Sequence, residues 1–306
     1  MKAVVYSKYG SPQVLQQKEL EKPTPRPHEI LVKVYATSVT AADVRLRASD
    51  FPPFIWLLAR LMFGLFRPKK QILGHEWSGV IEQIGNKVSK FKVNDEVFGT
   101  TTMLPTGAYT EYLCLPEYWR QGVIVKKPKQ LPHKAAAVLP IGGMTALYLL
   151  RKGNVKRNQK ILVYGASGSV GTYAVQIANH FGAQVTGVCS TPNIGMVKQL
   201  GAEVVIDYKK QHYTQSSERY DMVFDAVGKT TKAEAKKILK RGGQFVSTKM
   251  WTKESTELLL KIRQLADSGR VKPCIDKEYN LETLVEAHYY VDSGRKRGNV
   301  SVILQN

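Results

Sequence analysis

Residues 163–171 read VYGASGSVG, and this stretch indicates a strand, a glycine-rich turn and the start of a helix. The apolar run before it, residues 160–164, predicts a buried strand, and residues 170–181 have the apolar spacing of a helix. Small residues at a strand-to-helix turn let the backbone approach a pyrophosphate, and the first helical turn offers unpaired N–H groups. The spacing GxxGxxG has one residue more after the first glycine than the usual GxGxxG fingerprint. We therefore predict a nucleotide-binding loop, the alternative being a turn whose glycines serve only packing. The residues expected to contact the nucleotide are Gly165, Ser167, Gly168, Ser169, Val170 and Gly171.

A second signal follows the next predicted strand, residues 184–189, where the adenosine ribose of a dinucleotide is usually read. A site for a ribose 2′-hydroxyl places Asp or Glu there, but residues 189–202 contain no acidic residue. Hydroxyl and amide groups occupy the position instead, and they can donate hydrogen bonds to a 2′-phosphate. The sequence therefore favours NADPH over NADH, the alternative being ordinary turn residues with the ribose bound elsewhere. The candidate contacts are Ser190, Thr191 and Asn193, with Lys198 and Tyr208 as further candidates.

The chain changes character near residue 135. The first part is rich in predicted strands, and the later part alternates strands with helices, which indicates a parallel sheet covered on both faces. In the first part we predict strands at 2–6, 29–35, 79–85 and 96–99. After a helical stretch at 135–150, we predict strands at 203–207, 221–225 and 244–247, with helices at 194–200 and 231–239. Two further helices, at 258–266 and at 281–288 with Asn280 as N-cap, precede a last strand at 300–304.

Composition limits the class of protein. The 306 residues are 43% hydrophobic and 23% charged, as expected for a two-domain globular chain. No apolar run reaches the roughly 18–20 residues that span a bilayer, and nothing resembles a signal peptide. Three cysteines, Cys114, Cys189 and Cys274, are too few and too scattered for a disulfide framework, so we expect a cytoplasmic location. The net charge of +20 favours anionic partners, but no block of five like charges occurs and no specific nucleic acid is expected.

Short motifs are distributed over nearly the whole chain. They are GHEWSGVI at 74–81, VNDEVFG at 93–99, GAYTEY at 107–112, AAAVLP at 135–140, LGA at 200–202 and GNV at 298–300. Together with the glycine-rich loop they resemble the medium-chain dehydrogenase/reductase superfamily, in its zinc-independent quinone oxidoreductase-like branch. The resemblance implies an α/β fold with a GroES-like β-rich catalytic domain at 1–125 and a Rossmann doubly wound parallel sheet for NADPH at 126–250. A C-terminal segment, 251–306, is expected to return to the catalytic domain.

The resemblance also bears on metal. Zinc alcohol dehydrogenases of this superfamily have a cysteine where Thr40 stands and a histidine at the position of His75, and only the histidine remains here. A catalytic zinc needs three protein ligands, so we predict no metal. Without a Lewis acid, reduction of a small apolar quinone or α,β-unsaturated carbonyl is easier than alcohol oxidation. The predicted function is therefore an NADPH-dependent reductase of such substrates. Two alternatives stay open, a zinc-type alcohol or aldehyde dehydrogenase with a non-standard site and a non-catalytic NADPH-binding sensor or RNA-binding protein.

The expected site residues outside the loop fall into two groups. On the substrate side we expect Thr40 and Tyr109 as catalytic polar contacts, and Asp43 as a brace of the local turn. The residues expected to line the substrate are Arg45, Phe51, Trp56 and His75. On the cofactor side the resemblance implies Thr145 and Asn299 near the nicotinamide, Tyr208 near the ribose, and Ala226, Val227 and Gly228 along the cofactor.

Two stretches depart from the family pattern. Residues 54–66 (FIWLLARLMFGLF) are almost entirely apolar and are followed by the basic run at 67–70. They form either a hydrophobic lid or substrate wall, a buried core helix, or a weak membrane-surface contact. Residues 247–251 stand where the family has a longer strand–helix–strand passage that carries the last Rossmann strand and much of the dimer contact. The sheet is therefore expected to be one strand short, and the oligomeric state stays open.

Overall fold

The computed structural model describes residues 1–305, which form fourteen strands and nine α-helices. The strands are β1 (Lys2–Val5), β2 (Gln16–Glu19), β3 (Glu29–Ser38), β4 (Glu76–Ile84), β5 (Glu96–Thr100), β6 (Tyr112–Pro116), β7 (Ile124–Lys126), β8 (Lys160–Tyr164), β9 (Gln184–Cys189), β10 (Val204–Asp207), β11 (Tyr220–Asp225), β12 (Leu239–Ser247), β13 (Ile275–Asn280) and β14 (Asn299–Ile303). The helices are α1 (Ala41–Ala48), α2 (Pro53–Phe63), α3 (His133–Ala136), α4 (Pro140–Lys152), α5 (Ser169–His180), α6 (Ile194–Gln199), α7 (Lys232–Lys236), α8 (Thr256–Asp267) and α9 (Leu284–Asp292).

The chain forms two compact units. The first contains Met1–Ile141 and the chain from Ile275 onward, and the second is Gly142–Cys274. These limits differ from the expected ones at 125 and 250. Helix α3 packs on β3, β4 and β14 and so extends the first unit, whereas Ile262 on α8 lies against Gly143 and extends the second.

The first unit is β-rich. Its main sheet has the order β13-β14-β3-β4-β5-β7, with β6 paired to β3, and its pairs are antiparallel except β13 with β14. Strands β1 and β2 pair separately. The strand predicted at residues 29–35 lies within β3, where Ile30, Val32 and Val34 enter one core cluster around Trp77. A second cluster forms around Tyr109 beneath α9.

The second unit contains a parallel sheet with the order β10-β9-β8-β11-β12. In a six-stranded Rossmann sheet the order is 3-2-1-4-5-6, so the described residues supply the first five strands and leave β12 at an edge. The predicted α/β fold class, including the shortened sheet, is confirmed. Strand β8 is central in this order, which places the loop after it at the point where the order reverses.

Several element limits differ from the sequence prediction for local reasons. The helix expected at 135–150 is two helices, because Pro140 begins α4 and restricts the residue before it. Helix α7 ends at Lys236, and β12 already begins at Leu239. The N-cap of α9 is Thr283 and not Asn280, whose side-chain oxygen instead accepts from the Thr283 N–H at 2.9 Å.

The apolar stretch after residue 53 forms helix α2, and its interpretation as a buried core helix is wrong. Of the apolar side chains in α2, Ala59 is buried, whereas Phe54 is 88% exposed. Within the part of the chain that the structure describes, no helix combines the length and the hydropathy needed to cross a bilayer.

Candidate active site

The glycine-rich loop has the form that the sequence predicts. Gly165 has φ +78°, and a Cβ there would lie 2.6 Å from Cγ1 of Val227. A Cβ on Gly171 would lie 2.1 Å from the carbonyl oxygen of Gly165. The Gly168 N–H donates to Gly165 O at 3.1 Å and leads directly into α5. The glycines therefore permit a tight turn, and α5 directs its first N–H groups toward the end of β8 where a phosphate can bind.

The segment after β9 contacts this loop. The side-chain amide of Asn193 donates to Oγ of Ser167 and to Oγ of Ser190, both at 3.1 Å. Its Oδ1 is buried and has no hydrogen-bond partner within residues 1–305. Exchanging the amide N and O would leave an unused NH₂ instead, because serine hydroxyls can donate or accept. The cluster thus retains one buried polar atom that is free to bond to a further group.

Thr191, the third residue expected at the ribose, has a different partner. Its hydroxyl donates to Oδ2 of Asp207 at 2.6 Å. Asp207 ends β10 and lies in register beside Cys189. The hydrogen bond from Thr191, together with the Lys209 N–H, lowers the pKa of Asp207. The sequence analysis missed this carboxylate, although neighbouring parallel strands place their carboxyl ends side by side and Asp207 closed a predicted strand.

Asp225 is a second residue that the sequence analysis missed. It is fully buried at the end of β11, and its Oδ1 accepts from the N–H groups of Val227 and Gly228 at 3.2 and 2.9 Å. Its Oδ2 accepts from the hydroxyl of Ser247 on β12 at 2.9 Å. Asp225 therefore fixes the backbone of Ala226–Val227–Gly228, the segment that the family resemblance places along the cofactor.

The remaining expected cofactor contacts are Tyr208, Thr145 and Asn299. Tyr208 is 48% exposed directly after β10, with Nζ of Lys209 5.5 Å from its ring centroid. Thr145 is half-buried on α4 in the second unit, and Asn299 is buried on β14 in the first.

On the substrate side, Thr40 and His75 meet on one carboxylate. Oδ1 of Asp43 lies 2.6 Å from Nδ1 of His75, and Oδ2 accepts from the Thr40 hydroxyl at 2.5 Å. Thr40 Oγ1 also accepts from the Asp43 N–H, which completes a capping box at the start of α1 and confirms Asp43 as a brace. Burial alone would raise the pKa of Asp43, but the charge and hydrogen bond of His75 and the bonds from Thr40 lower it overall. Asp43 is therefore an ionised buried carboxylate that orients the His75 ring.

The two expected catalytic hydroxyls are both engaged in hydrogen bonds within the first unit. The Thr40 proton is donated to Asp43, so Thr40 acts as a helix cap. Tyr109 is fully buried, its hydroxyl lies 3.1 Å from Nε2 of His288, and burial raises its pKa far above the usual value. His288 in turn contacts Arg47 through Nδ1 at 3.1 Å. Tyr109 thus belongs to a buried structural network, and we do not assign it as a proton donor.

The expected lining residues lie in two places. His75 is on the short segment before β4, with 12% of its side chain exposed and no hydrogen-bond partner for Nε2 among the described residues. Arg45 is exposed on α1, and Phe51 stacks on Phe63 of α2 with ring centroids 5.8 Å apart. Trp56 is 41% exposed on α2.

The buried Glu76 and the half-buried Lys296 influence each other electrostatically within the first unit. Glu76 accepts from the Ser38 hydroxyl at 2.6 Å and from the Ile141 N–H at 2.8 Å. Burial raises the pKa of Glu76 to about 7 in spite of those bonds. Burial also lowers the pKa of Lys296 to about 8, although Glu76 and Asp276 oppose that shift. Both groups therefore change protonation near neutral pH.

The first unit also bears on the metal expectation. Within residues 1–305, no group of three His, Cys, Asp or Glu side chains is arranged to hold a metal ion. In zinc enzymes a carboxylate often holds the ring of a metal-binding histidine as Asp43 holds His75, but the further ligands are not assembled here.

Comparison with known proteins agrees with the fold. Residues 26–129 match the alcohol dehydrogenase GroES-like domain, and residues 169–273 and 247–302 match two zinc-binding dehydrogenase models. The chain is 30% identical to 2-methylene-furan-3-one reductase of Solanum lycopersicum, over 99% of this chain and 79% of that protein. It is 28% identical to the NADPH-dependent alkenal/one oxidoreductase of Arabidopsis thaliana, with the same coverage. The structure of the quinone oxidoreductase from Coxiella burnetii superposes with a TM-score of 0.88 at 26% identity, over 100% of this chain and 99% of that one.

These matches span both units, and the first zinc-binding dehydrogenase match begins at Ser169, the first residue of α5. The chain belongs to the medium-chain dehydrogenase/reductase superfamily, as its sequence motifs predicted.

Proposed function

We propose that this protein is an NADPH-dependent reductase that acts on small quinones or α,β-unsaturated carbonyl compounds. The observation that carries the proposal is the cluster at the start of α5. There the side-chain amide of Asn193 joins Ser167 of the Gly165–Gly171 turn to Ser190, and Asn193 Oδ1 has no hydrogen-bond partner among the described residues. The relatives named as reductases of enones support the substrate class, and one of them is named as NADPH-dependent.

The cofactor contacts follow from this cluster. The N-terminus of α5 would hold the pyrophosphate, and the polar groups of Ser190 and Asn193 would face the 2′-phosphate. Lys209 and Lys210 follow Asp207 in the chain and add positive charge beside its carboxylate. When bound, NADPH supplies the hydride, and the protein positions and shields the reacting groups.

The protein must also stabilise the negative charge that reduction leaves on the substrate oxygen. We propose His75 for this role, because its Nδ1 is fixed on Asp43 and its Nε2 remains available as a donor. The contact between Nδ1 and Asp43 fixes the orientation of the ring, so that Nε2 can donate a hydrogen bond to an enolate or quinolate oxygen. Thr40 acts through Asp43, by fixing the orientation of the carboxylate.

The decisive experiment is a fluorescence titration with NADPH and NADH, followed by NADPH oxidation against a panel of quinones and enones. Tight NADPH binding with turnover that persists after treatment with a chelator supports the proposal. Turnover that requires added zinc supports the dehydrogenase alternative, and salt-dependent RNA binding without turnover supports the non-catalytic one. If neither nucleotide binds, the assignment of the loop is wrong.

We also propose a cytoplasmic location. Cys114, Cys189 and Cys274 are thiols in the structure, which suits a reducing compartment. A fluorescent fusion that collects in an organelle would contradict this proposal.

A further inference from the structure

The outer face of α2 is apolar, which is the reverse of a normal surface helix. Within the helix its most exposed apolar side chains recur at positions i, i+3, i+4, i+7 and i+8, the period of one helix face, and Ile55 and Trp56 beside them are 38% and 41% exposed. The exposed fractions are 88% for Phe54, 59% for Leu57, 64% for Leu58, 55% for Leu61, 51% for Met62 and 37% for Leu65. Phe66, just after the helix, is 89% exposed. A continuous apolar stripe of this kind on a solvent-exposed protein surface indicates an interaction site.

The inner face of α2 is anchored by polar contacts. The guanidinium of Arg60 lies 3.9 Å from the ring centroid of Tyr9. The Tyr9 hydroxyl donates to the carbonyl oxygens of Phe63 and Gly64 at 3.0 and 2.8 Å. These contacts set the rotation of the helix, so the apolar stripe faces outward as a consequence of defined bonds.

Positive charge accompanies the stripe. Between Asp50 and Glu76 the chain contains four basic residues, Arg60, Arg67, Lys69 and Lys70, and no acidic one. Nζ of Lys69 donates to the carbonyl oxygen of Leu61 at 3.0 Å, which holds its ammonium group beside the apolar face. Arg67 is exposed in the same segment.

We propose that α2 and its basic flank, residues 53–70, dock this protein onto the surface of a bilayer that contains anionic lipids. Aliphatic and aromatic side chains would enter the boundary between headgroups and acyl chains, while Arg67 and Lys69 contact lipid phosphates. The helix has 11 residues, so it lies on the membrane and does not cross it. A second copy of the chain fits less well, because a two-fold contact through this face would bring two uniformly basic flanks together.

The test is sedimentation of the full chain with vesicles of phosphatidylcholine alone and of phosphatidylcholine mixed with phosphatidylglycerol. We expect binding to the mixed vesicles that weakens as salt is added, with a fluorescence blue shift that Trp56→Phe abolishes. The variant F54S/L58S should bind at least about tenfold more weakly. Its control is Y118S/W251S, which removes two exposed aromatic side chains elsewhere and should bind like the wild type.

A second experiment tests the role of positive charge by comparing the vesicle binding of R67Q/K69Q with that of K236Q/K237Q. Lys236 and Lys237 are a matched pair of exposed basic residues on and beside α7. Only R67Q/K69Q should lose the preference for phosphatidylglycerol. Equal losses in both pairs would show that the net charge of +20 binds vesicles without a specific site, and would overturn the proposal. Unchanged vesicle binding by F54S/L58S would also overturn the proposal. A third contrary result would be a wild-type protein that does not bind vesicles and forms a dimer, with F54S/L58S dissociating that dimer. A changed KM for bulky enones in F54S/L58S, again without vesicle binding by the wild type, would assign α2 as a lid instead.

Discussion

Oδ1 of Asp43 lies 2.6 Å from Nδ1 of His75, and the carboxylate is fully buried while 12% of the His75 side chain is exposed. Two bonds from Thr40 and one from the Gly74 N–H satisfy the rest of the carboxylate. A buried charge with this many donors stays ionised, and it holds one ring nitrogen of His75 while leaving the other for chemistry.

Replacing His75 by Gln should lower kcat by about 10²–10⁴-fold, because general acid catalysis typically contributes that much. KM for an enone should change less, since the main loss is proton donation to the product oxygen. Steady-state kinetics across pH would measure the effect. The control is His28→Gln, which alters an exposed histidine and should leave kcat and its pH profile unchanged. A His75→Gln enzyme with full activity would remove His75 from the proposed mechanism.

Replacing Gly165 by Ala should weaken NADPH binding by about tenfold or more. The residue has φ +78°, and its new Cβ would lie 2.6 Å from Cγ1 of Val227, so the phosphate loop must shift. Isothermal titration with NADPH would measure the affinity. Gly195→Ala is the matched control, because nothing lies within 4 Å of its Cβ position in α6 and helical glycines tolerate alanine. Equal affinities for the two variants would mean that the turn at Gly165 is not part of the nucleotide site.

Replacing Ser190 by Asp should shift the preference between cofactors toward NADH. The new carboxylate would repel a 2′-phosphate and would accept a hydrogen bond from a ribose hydroxyl. We expect the ratio of kcat/KM for NADPH to that for NADH to fall by at least about tenfold, a change of roughly 1.4 kcal/mol. Ser190→Ala tests the charge effect, since it removes the hydroxyl without adding repulsion and should change the ratio much less. An unchanged ratio in Ser190→Asp would place the 2′-phosphate elsewhere.

The buried His288 should make the protein sensitive to acid. Burial lowers its pKa from 6.5 to about 3, with the nearby charge of Arg47 adding to the shift and Asp43 opposing it. The histidine is therefore protonated near pH 6.5 in the unfolded chain but stays neutral in the folded protein down to about pH 3. The contribution of the neutral His288 to stability is present above pH 6.5 and is lost as the pH falls toward 3. Denaturant unfolding should show a free energy that drops on acidification, and His288→Gln should remove much of that drop. The same slope in both proteins would contradict the assignment.

Glu76 should make the free energy of unfolding fall as the pH rises, which is the opposite of the effect of His288. Burial raises its pKa from 4.5 to about 7, so the folded protein keeps a proton that the unfolded chain loses. This contribution is present below pH 4.5 and is lost as the pH rises through 7, and it amounts to about 3 kcal/mol. In the variant Glu76→Gln the amide oxygen can accept from the Ile141 N–H and the amide NH₂ can donate to the Ser38 hydroxyl, and the side chain does not titrate. The free energy of unfolding of the wild type should therefore fall relative to that of Glu76→Gln across this window. Parallel curves would show that Glu76 is ionised in the folded protein throughout.

The sequence was most informative where local geometry restricts the residue type. The roles of Gly165 and Gly171 follow from their spacing in the chain, because a Cβ at either position would collide with Val227 or with the carbonyl oxygen of Gly165. The apolar pattern of residues 29–35 likewise predicted the strand that lies within β3. Asp207 and Asp225 were missed because their partners, Thr191 and Ser247, are distant in sequence and meet them only through strand pairing.

The sequence by itself determined the family, the order of strands and helices after residue 135, and the nucleotide loop, because these follow from short-range spacing and steric limits. Only the tertiary structure decided the roles of particular polar groups. Tyr109 looked like a catalytic hydroxyl and is a core residue bonded to His288, 179 positions away. From the sequence, the apolar stretch at α2 was equally compatible with a core helix, because composition shows how apolar a helix is but not whether its apolar side chains are buried. Which face of that helix meets the protein depends on its contacts with Tyr9, which lies far from it in the chain.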